Sequence, residues 1–201
     1  MTKFLDKAYT ARDAASTRVL YDDWAASYEA EVGEQGYATP GRCADALKHY
    51  ANDMSAPVLD FGCGTGLSGL ALKLAGFETI DGVDLSAEML EGARSKNVYR
   101  HLDQIEAGAD LPRKDYALCA AIGVIGAGAA PIDVLHILMR ALPRDGKLVF
   151  SFNDHALDDP ANEAGIAAWT DCGAARLLFK EHGPHLPGIG LKSNVYVIEK
   201  A

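Results

Sequence analysis

The chain has 201 residues, an ordinary apolar fraction of 49% and a formal net charge of −9, so it can bury a core without disulfide or metal support. The negative charge, with no dense Lys/Arg cluster to offset it, predicts that neither nucleic acid nor an anionic membrane surface is a partner. The N-terminus lacks an apolar signal segment, and the longest uncharged stretch, 117–132, is too short to span a bilayer.

The four cysteines are far apart in the sequence and form no CxxC pair: Cys43, Cys63, Cys119 and Cys172. Their spacing indicates neither a zinc site nor a disulfide framework. Scattered free thiols are typical of a reducing compartment. We therefore expect a cytoplasmic protein without a metal centre, and the sequence leaves its oligomeric state open.

Residues 1–52 are predicted to be helical. Large residues recur at helical spacing between Val19 and Tyr28, and a second helix is expected from about Arg42 to Asn52. Glycines and the Pro40-Gly41 pair are predicted to break the chain between the two helices. The aromatic residues of the first helix are suited to a lid.

From Pro57 onward the pattern alternates between strands and helices. Strands are predicted at 58–61, 78–84, 116–124 and 147–152, and helices at 67–75, 88–95 and after Pro131. Repeated strand–helix–strand units predict a parallel sheet covered on both faces. The tail segments 175–181 and 193–199 are predicted to be strands that pair antiparallel at one edge, joined by a Gly/Pro-rich loop.

A glycine-rich turn from Asp60 to Gly66 follows the first predicted strand. In open α/β sheets, ligands bind beyond the carboxyl ends of the strands, where the strand order reverses. Glycines there allow close approach and positive φ, and the amide groups of the next helix add partial positive charge. The turn is therefore predicted to bind a cofactor.

Two cofactors fit this pattern. Residues 64–69 satisfy GxGxxG, and Asp84 follows at about the 20-residue spacing typical of dinucleotide binding, so an NAD(P)-binding oxidoreductase is one alternative. Three features favour S-adenosylmethionine (SAM): the aromatic helical segment before the motif, the antiparallel strand expected in the tail, and Asp60. A carboxylate at Asp60 suits the ammonium group of SAM and repels a pyrophosphate.

Asp84 ends the second predicted strand, next to the glycine turn. Its two carboxylate oxygens can accept hydrogen bonds from both hydroxyls of a ribose. The alternative is a helix N-cap or a solvated aspartate in a turn. Ser86 is itself predicted to cap the helix that follows.

The runs 58–66 (VLDFGCGTG) and 82–90 resemble those of class I SAM-dependent methyltransferases, most closely their small type-11/12 branch. The pattern Tyr-Asp-Asp-Trp-Ala-x-x-Tyr at 21–28 is similar to the lid of methyltransferase-like proteins named after the Williams–Beuren chromosomal region. The resemblance covers 21–199. It implies a Rossmann-like, mostly parallel seven-stranded sheet with the last strand antiparallel, helices on both faces and an N-terminal helical lid.

On this basis we expect one methyltransferase domain over 1–201, with a helical lid region at 1–52 and a Rossmann-like core at 57–201. The resemblance assigns the adenine amino group to Glu106, with Asp103 as the competitor. The residues expected to bind the cofactor are Tyr21, Asp60, Gly62, Cys63, Gly64, Asp84, Leu85, Ile105, Glu106 and Gly123.

The sequence departs from the family at two places. Ala117 stands where related sequences have Asp, and Gly126-Ala127 where they often have Thr-His. Methyl transfer from a sulfonium depends mainly on alignment and a dry site, and it needs a base only when the nucleophile carries a proton of high pKa. His155 and His185, after the fifth strand and in the expected final loop, are weak candidates for such a base.

The expected function is in-line methyl transfer from SAM to a small-molecule acceptor, with S-adenosyl-L-homocysteine as the product. The aromatic lid and the lack of a basic patch favour a partly apolar acceptor. A SAM-binding protein without transferase activity is the main alternative, because of the departure at Gly126-Ala127.

Overall fold

The computed structural model describes residues 14–109, 111, 116–126 and 128–201. Its helices in this part of the chain are α1 (Ala14–Trp24), α2 (Tyr28–Glu34), α3 (Thr39–Tyr50), α4 (Leu67–Ala75), α5 (Ala87–Ser95), α6 (Asp133–Ala141), α7 (Asp154–Leu157) and α8 (Pro160–Thr170). Its strands are β1 (Val58–Phe61), β2 (Ile80–Asp84), β3 (His101–Gln104), β4 (Leu118–Ala121), β5 (Lys147–Asn153), β6 (Ala175–Leu186) and β7 (Leu191–Lys200).

The strands form a seven-stranded sheet in the order β3-β2-β1-β4-β5-β7-β6. Strands β1 to β5 are parallel, and β7 lies antiparallel between β5 and β6. From β1 the chain adds β2 and β3 on one side of the sheet, and then crosses back to add β4 and β5 on the other side of β1. The strand order therefore reverses between β1 and β4. Ligands bind α/β sheets at such a point. The predicted fold class is confirmed.

The final hairpin is longer than the sequence indicated. Strand β6 continues to Leu186, and a short 3-10 turn at Pro187–Ile189 joins it to β7. His182 and His185 therefore lie in a strand, which corrects their placement in a loop. Residues Gly183 and Pro184 did not end the strand, because pairing with β7 continues past them.

The N-terminal helices also differ from the prediction. Helix α3 begins at Thr39 with Pro40 in its first turn, so Pro40-Gly41 starts a helix where we expected a break. Proline is favoured there because the N–H it lacks has no intrahelical partner at that position. Cys43 and Leu47 of α3 are buried against the sheet, while Pro40 in the first turn of α3 also lines the cavity of the functional site.

Helix α8 was not predicted. Asp159 caps it by accepting a hydrogen bond from Ala161 N at 2.9 Å, and Pro160 occupies its first turn. Glu163 fixes the helix to the sheet, because its Oε1 accepts hydrogen bonds from Tyr196 OH at 2.9 Å and from Lys180 Nζ at 2.8 Å. The Asp-Pro pair was a start signal available in the sequence.

The core consists of apolar layers on the two faces of the sheet. On one face Phe150 stacks on Tyr196 with ring centroids 5.0 Å apart, beneath α6 and α8. On the other face α3 and α4 cover the sheet, with Phe77 fully buried. None of the helices in the described ranges is long and apolar enough to cross a membrane.

We predict that Phe77→Ala lowers the free energy of unfolding by about 3–5 kcal/mol, because it leaves a cavity beneath α4. Leu74→Ala is the matched control, because Leu74 is 80% exposed on the same segment, and it should change stability by less than about 0.5 kcal/mol. Urea denaturation followed by circular dichroism measures both. Equal losses for the two variants would contradict this assignment of the core.

Candidate functional site

A cavity of about 630 Å³ opens at the carboxyl ends of β1, β2 and β4, where the strand order reverses. Its volume lies in the usual range for small-molecule sites. Helix α1 and the loops after β2, β3 and β4 complete its walls. The predicted residues that line it are Tyr21, Gly62, Cys63, Gly64, Asp84, Leu85, Ile105, Glu106, Gly123 and His155.

The glycine turn requires glycine for two different reasons. Gly62 has φ +68°, and a Cβ there would lie 2.5 Å from Val124 Cγ2, so the turn packs closely against the loop after β4. Gly64 has φ +53°, but a Cβ built on it meets no described atom within 4 Å. The backbone at Gly64 therefore faces open space in the cavity, and its left-handed conformation is what favours glycine there.

Asp84 ties the turn to the end of β2. Its Oδ2 accepts a hydrogen bond from Gly64 N at 2.8 Å, and its Oδ1 accepts one from Ser86 N at 2.9 Å. Burial raises the pKa of this carboxyl. Ser86, rather than Asp84, caps α5, because its hydroxyl accepts a hydrogen bond from Met89 N at 3.0 Å.

Asp60 is fully buried beneath the turn and is not part of the cavity lining, and its contact with a cofactor ammonium stays a prediction. Its Oδ2 accepts hydrogen bonds from Ser68 Oγ at 2.6 Å and from Tyr99 OH at 2.7 Å. Tyr99 OH in turn accepts one from Gly69 N at 3.1 Å. Burial raises the pKa of Asp60 to about 6. The carboxyl thus joins the start of α4 to the loop before β3.

Thr65 is a site residue that the motif analysis did not single out. It lies in the turn and lines the cavity, and it is only 3% exposed. Its Oγ1 has no hydrogen-bond partner within the described ranges. A buried hydroxyl without a partner is costly, so a polar ligand atom is the expected partner.

The lid side of the cavity is aromatic. Tyr21 packs against Trp24 and Tyr28, with ring centroids 5.7 and 6.4 Å away. Tyr21 and Tyr28 also line the cavity, whereas Trp24 is buried behind them. An ion pair between Glu29 of α2 and Lys96, which follows α5, joins these two helices. Both interpretations of the aromatic residues therefore apply: they pack together and they cover the cavity.

Glu106 and Asp103 differ in position. Glu106 lines the cavity, and its Oε1 lies 3.5 Å from Arg18 Nη1 of α1. Asp103 lies within β3 and is not part of the lining. Because the Glu106 side chain is 78% exposed, this ion pair contributes little energy. The structure brings Glu106, rather than Asp103, to the cavity.

The two histidine candidates are in different surroundings. His155 in α7 is exposed and lines the main cavity. His185 lies outside it, beside a second cavity of about 60 Å³. His185 Nδ1 lies 2.8 Å from Thr39 Oγ1, and burial lowers the pKa of the ring to about 4. His185 is therefore neutral at pH 7 and is a weak base.

The positions where the sequence departs from the family have different relations to the cavity. Ala117 is exposed before the start of β4 and is not part of the lining. Gly126 lines both cavities. Ala127 lies outside the described residues. The departure at Ala117 therefore leaves the cavity unchanged.

One wall of the cavity, which is formed by α6, α8 and the residues just before these helices, was also not predicted from the sequence. Helical spacing in α6 and the Asp159-Pro160 start signal of α8 could have indicated these residues. The residues concerned are Pro131, Ile132, Asp133, Val134, Ile137, Asp159 and Asn162.

The family described as "Methyltransferase domain" matches residues 36–190. The chain belongs to this family. Human methyltransferase-like protein 27 is 30% identical over 133 residues, which is 64% of this chain and 54% of that protein. The 18S rRNA (guanine(1575)-N(7))-methyltransferase of Saccharomyces cerevisiae is 31% identical over 129 residues, 56% of this chain and 47% of that protein. The chain thus spans about half the length of these relatives.

Solved structures of methyltransferases have the same fold. Magnesium protoporphyrin IX methyltransferase from Synechocystis PCC 6803 with bound SAM superposes with a TM-score of 0.62 at 16% identity, covering 98% of this chain and 90% of that one. The ribosomal protein L11 methylase of Lactobacillus delbrueckii subsp. bulgaricus gives 0.58 at 21% identity, covering 79% and 77%. The predicted methyltransferase family is confirmed.

The exclusion of nucleic acid as a partner is wrong. The yeast relative is named for methylating a guanine in 18S rRNA. The net charge of −9 describes the whole chain, whereas recognition of an acceptor depends on the local charge and shape around the site. Net charge therefore cannot exclude an RNA acceptor.

We predict that His185 makes the protein sensitive to acid. Between pH 6.5 and about 4 the unfolded chain binds a proton at this residue and the folded chain does not, so the free energy of unfolding falls as the pH falls. Asp60 acts oppositely, because its pKa is raised from 3.8 to about 6. The comparison should therefore be made with a His185→Asn variant.

Over this pH interval the free energy of unfolding of the wild type should fall by roughly 2–3 kcal/mol relative to that of His185→Asn. Urea denaturation at pH values from 4 to 7.5 measures the difference. Asp60→Asn is the control. It removes a group that stabilises the folded state as the pH falls, so its free energy of unfolding should fall more steeply toward acid than that of the wild type. Parallel curves for wild type and His185→Asn would show that the ring titrates normally in the folded protein.

Proposed function

We propose that the main cavity binds SAM and that the chain transfers its methyl group to a small acceptor. The observation that carries this proposal is the contact between Asp84 and Gly64 N at the mouth of the cavity. It places a buried carboxylate beside an open glycine turn at the reversal of the strand order, in a chain of the methyltransferase family.

The residues of the cavity fit SAM. The described lining contains more acidic side chains than basic ones. The acidic side chains are Asp84, Glu106, Asp133 and Asp159, and the basic side chains include Arg18. An acidic cavity favours a positively charged sulfonium cofactor and disfavours the pyrophosphate of NAD(P). Thr65 Oγ1 supplies a polar group that lacks a protein partner. These features support SAM over the dinucleotide alternative.

We assign the cofactor contacts by position. Each Asp84 oxygen receives one backbone hydrogen bond and keeps a lone pair for a ribose hydroxyl. Leu85 and Ile105 line the cavity on either side of the approach to Glu106, which would accept the adenine amino group. The remaining contacts are Tyr21, Gly62, Cys63, Gly64 and Gly123.

Bound SAM supplies a methyl group on a positively charged sulfur, which becomes a neutral thioether after transfer. The chain's own residues orient the reactants and exclude water. Tyr21 and Tyr28 cover the cavity from α1 and α2, and the dry, fixed surroundings supply the rate enhancement. An acceptor that carries no proton of high pKa needs no base, so this arrangement suits it best.

We propose that the lid consists of α1 and α2, because α3 packs into the core although it falls within the expected lid region 1–52. The remaining residues, 57–201, supply the sheet and the other walls of the cavity.

The cytoplasmic location stays a prediction from the cysteines, of which Cys43, Cys63 and Cys119 are buried free thiols.

The acceptor side of the cavity supports a partly apolar acceptor. Ile132, Val134 and Ile137 contribute apolar side chains to its lining. Apolar walls bind an acceptor mainly by removing its surface from water. A free small molecule is the proposed acceptor, and an RNA nucleotide is the competitor because of the yeast relative.

We predict that Asp84→Ala raises the dissociation constants of SAM and S-adenosylhomocysteine by roughly 5- to 150-fold, because charged hydrogen bonds worth about 1–3 kcal/mol are lost. Isothermal titration calorimetry measures both, with NAD in parallel. Glu88→Ala is the control, since Glu88 is exposed at the start of α5. Unchanged SAM affinity in Asp84→Ala would rule out the ribose assignment, and binding of NAD alone would rule out the SAM site.

We expect turnover with a small acceptor. The assay follows formation of S-adenosylhomocysteine with a panel of phenols, amines, thiols and carboxylic acids, and separately with total RNA. Methylation supported by RNA and by no small molecule would contradict the small acceptor and leave methyl transfer intact. Tight SAM binding without turnover in either arm would favour the SAM-binding alternative.

A further inference from the structure

A second cavity of about 60 Å³ lies beside the proposed cofactor cavity. The two cavities adjoin, because they share lining residues. The shared residues are Tyr21, Tyr28, Tyr37, Gly123, Gly126 and Ala129. A water molecule occupies about 30 Å³ of liquid volume, so this space holds one small polar group. Ser151, Asn153 and His185 contribute polar side chains to its wall.

A chain of hydrogen bonds determines which nitrogen of His185 carries the proton. Arg42 Nη1 donates to Ser193 Oγ at 3.0 Å, Ser193 Oγ lies 3.0 Å from Thr39 Oγ1, and Thr39 Oγ1 lies 2.8 Å from His185 Nδ1. Arginine can only donate. Each hydroxyl proton in the chain has an acceptor when Ser193 donates to Thr39 and Thr39 donates to Nδ1. Nδ1 is then an acceptor, and Nε2 carries the proton of the neutral ring.

The side-chain hydrogen bond described for the His185 ring is at Nδ1, and none is described at Nε2. The side chain is nevertheless 93% buried, being 7% exposed. Tyr37 packs edge-on against the ring, with centroids 5.2 Å apart, and so fixes its plane. The N–H at Nε2 is therefore available to a ligand atom or a water in the cavity that His185 lines.

Asn153 presents a second donor to the same cavity. Its Oδ1 accepts a hydrogen bond from Ala156 N at 2.9 Å, which caps α7 and identifies the oxygen of the amide. The amino group Nδ2 makes no hydrogen bond within the described part of the chain. Ser151 Oγ, by contrast, is engaged by Gly123 N at 2.9 Å. Asn153 at the end of β5 and His185 near the end of β6 thus place two N–H donors in residues that line one small cavity.

The cavity has no charged side chain in its described lining. A carboxylate or ammonium group bound there would be buried without a counter-charge, which is costly. An uncharged oxygen can accept from both donors at no such cost. The chemistry of the lining therefore selects a carbonyl or hydroxyl oxygen.

We propose that the small cavity anchors the methyl acceptor by binding an uncharged carbonyl or hydroxyl oxygen through the N–H groups of His185 and Asn153. The inference rests on the proposed function, because it takes Gly123, which lines both cavities, to lie beside the cofactor. Arg42, Thr39 and Ser193 are positioning residues that hold the His185 ring in its donor form. His185 then acts as a hydrogen-bond donor, and this replaces its assignment as a candidate base.

The first test is the tautomer of His185, read by long-range ¹H–¹⁵N NMR on the full chain at pH 7. The expected spectrum shows Nε2 protonated and Nδ1 unprotonated, and Thr39→Val should weaken this preference. A ring protonated at Nδ1 would overturn the proposal, because the cavity would then face an acceptor nitrogen.

The second test uses acetamide and methanol as uncharged probes, with acetate and methylammonium as charged ones. Binding is followed by the shift of the His185 resonances, with and without S-adenosylhomocysteine. We expect acetamide to bind more tightly than acetate or methylammonium. Tighter binding of either charged probe, or occupation of the cavity by water alone in a crystal soaked with acetamide, would overturn the proposal.

Two variants of His185 isolate the donor. His185→Asn keeps an amide near the Nδ1 position and lacks the Nε2 donor. We therefore expect its affinity for acetamide to fall by about fivefold to tenfold, because one hydrogen bond is lost. His185→Gln reaches the Nε2 position and should restore most of it. Backbone amide shifts around the cavity report acetamide binding in both variants. Equal acetamide affinity in wild type and His185→Asn would overturn the proposal.

Affinity for S-adenosylhomocysteine should be unchanged in both variants. If the wild type failed to bind S-adenosylhomocysteine, the proposed function would fail. Acetamide binding to the cofactor-free protein would still test the small cavity by itself, so the two failures are distinguishable.

Discussion

The hydrogen bond from Gly64 N to Asp84 Oδ2 joins the two strand ends between which the main cavity opens. It holds the glycine turn after β1 against the end of β2, and burial of the carboxylate makes a missing partner costly. Tyr99 and Asp60 brace the same turn from beneath. The open backbone at Gly64 depends on these contacts, because a left-handed turn without them would lack a fixed position.

Under the proposed function, the two cavities divide the work that methyl transfer requires. The larger is acidic and suits a cationic cofactor, while the smaller is uncharged in its described lining and presents N–H donors. The backbone of Gly123 and the rings of Tyr28 and Tyr37 lie between them. Because transfer from a sulfonium needs alignment more than acid–base chemistry, an anchoring donor at His185 is more useful than a base would be.

The nature of the acceptor shows the limits of composition as evidence. A net charge of −9 predicted that nucleic acid is not a partner, yet a relative 31% identical is named for methylating rRNA. Charge summed over a chain influences association at long range, whereas the acceptor is chosen by contacts within a few ångströms of the transferred methyl group. The local lining of the cavities is therefore the better guide to the acceptor.

The sequence by itself determined the β1–turn–α4 unit, the Ser86 cap and the alternation of strands and helices, because these depend on neighbouring residues. Through the resemblance, the sequence also singled out Glu106 and Gly123, which line the main cavity. Only the tertiary structure decided that Asp60 lies beneath the turn and that His185 belongs to a strand. Both outcomes depend on partners far along the chain, Tyr99 for Asp60 and Thr39 for His185, and local patterns carry no information about such pairings.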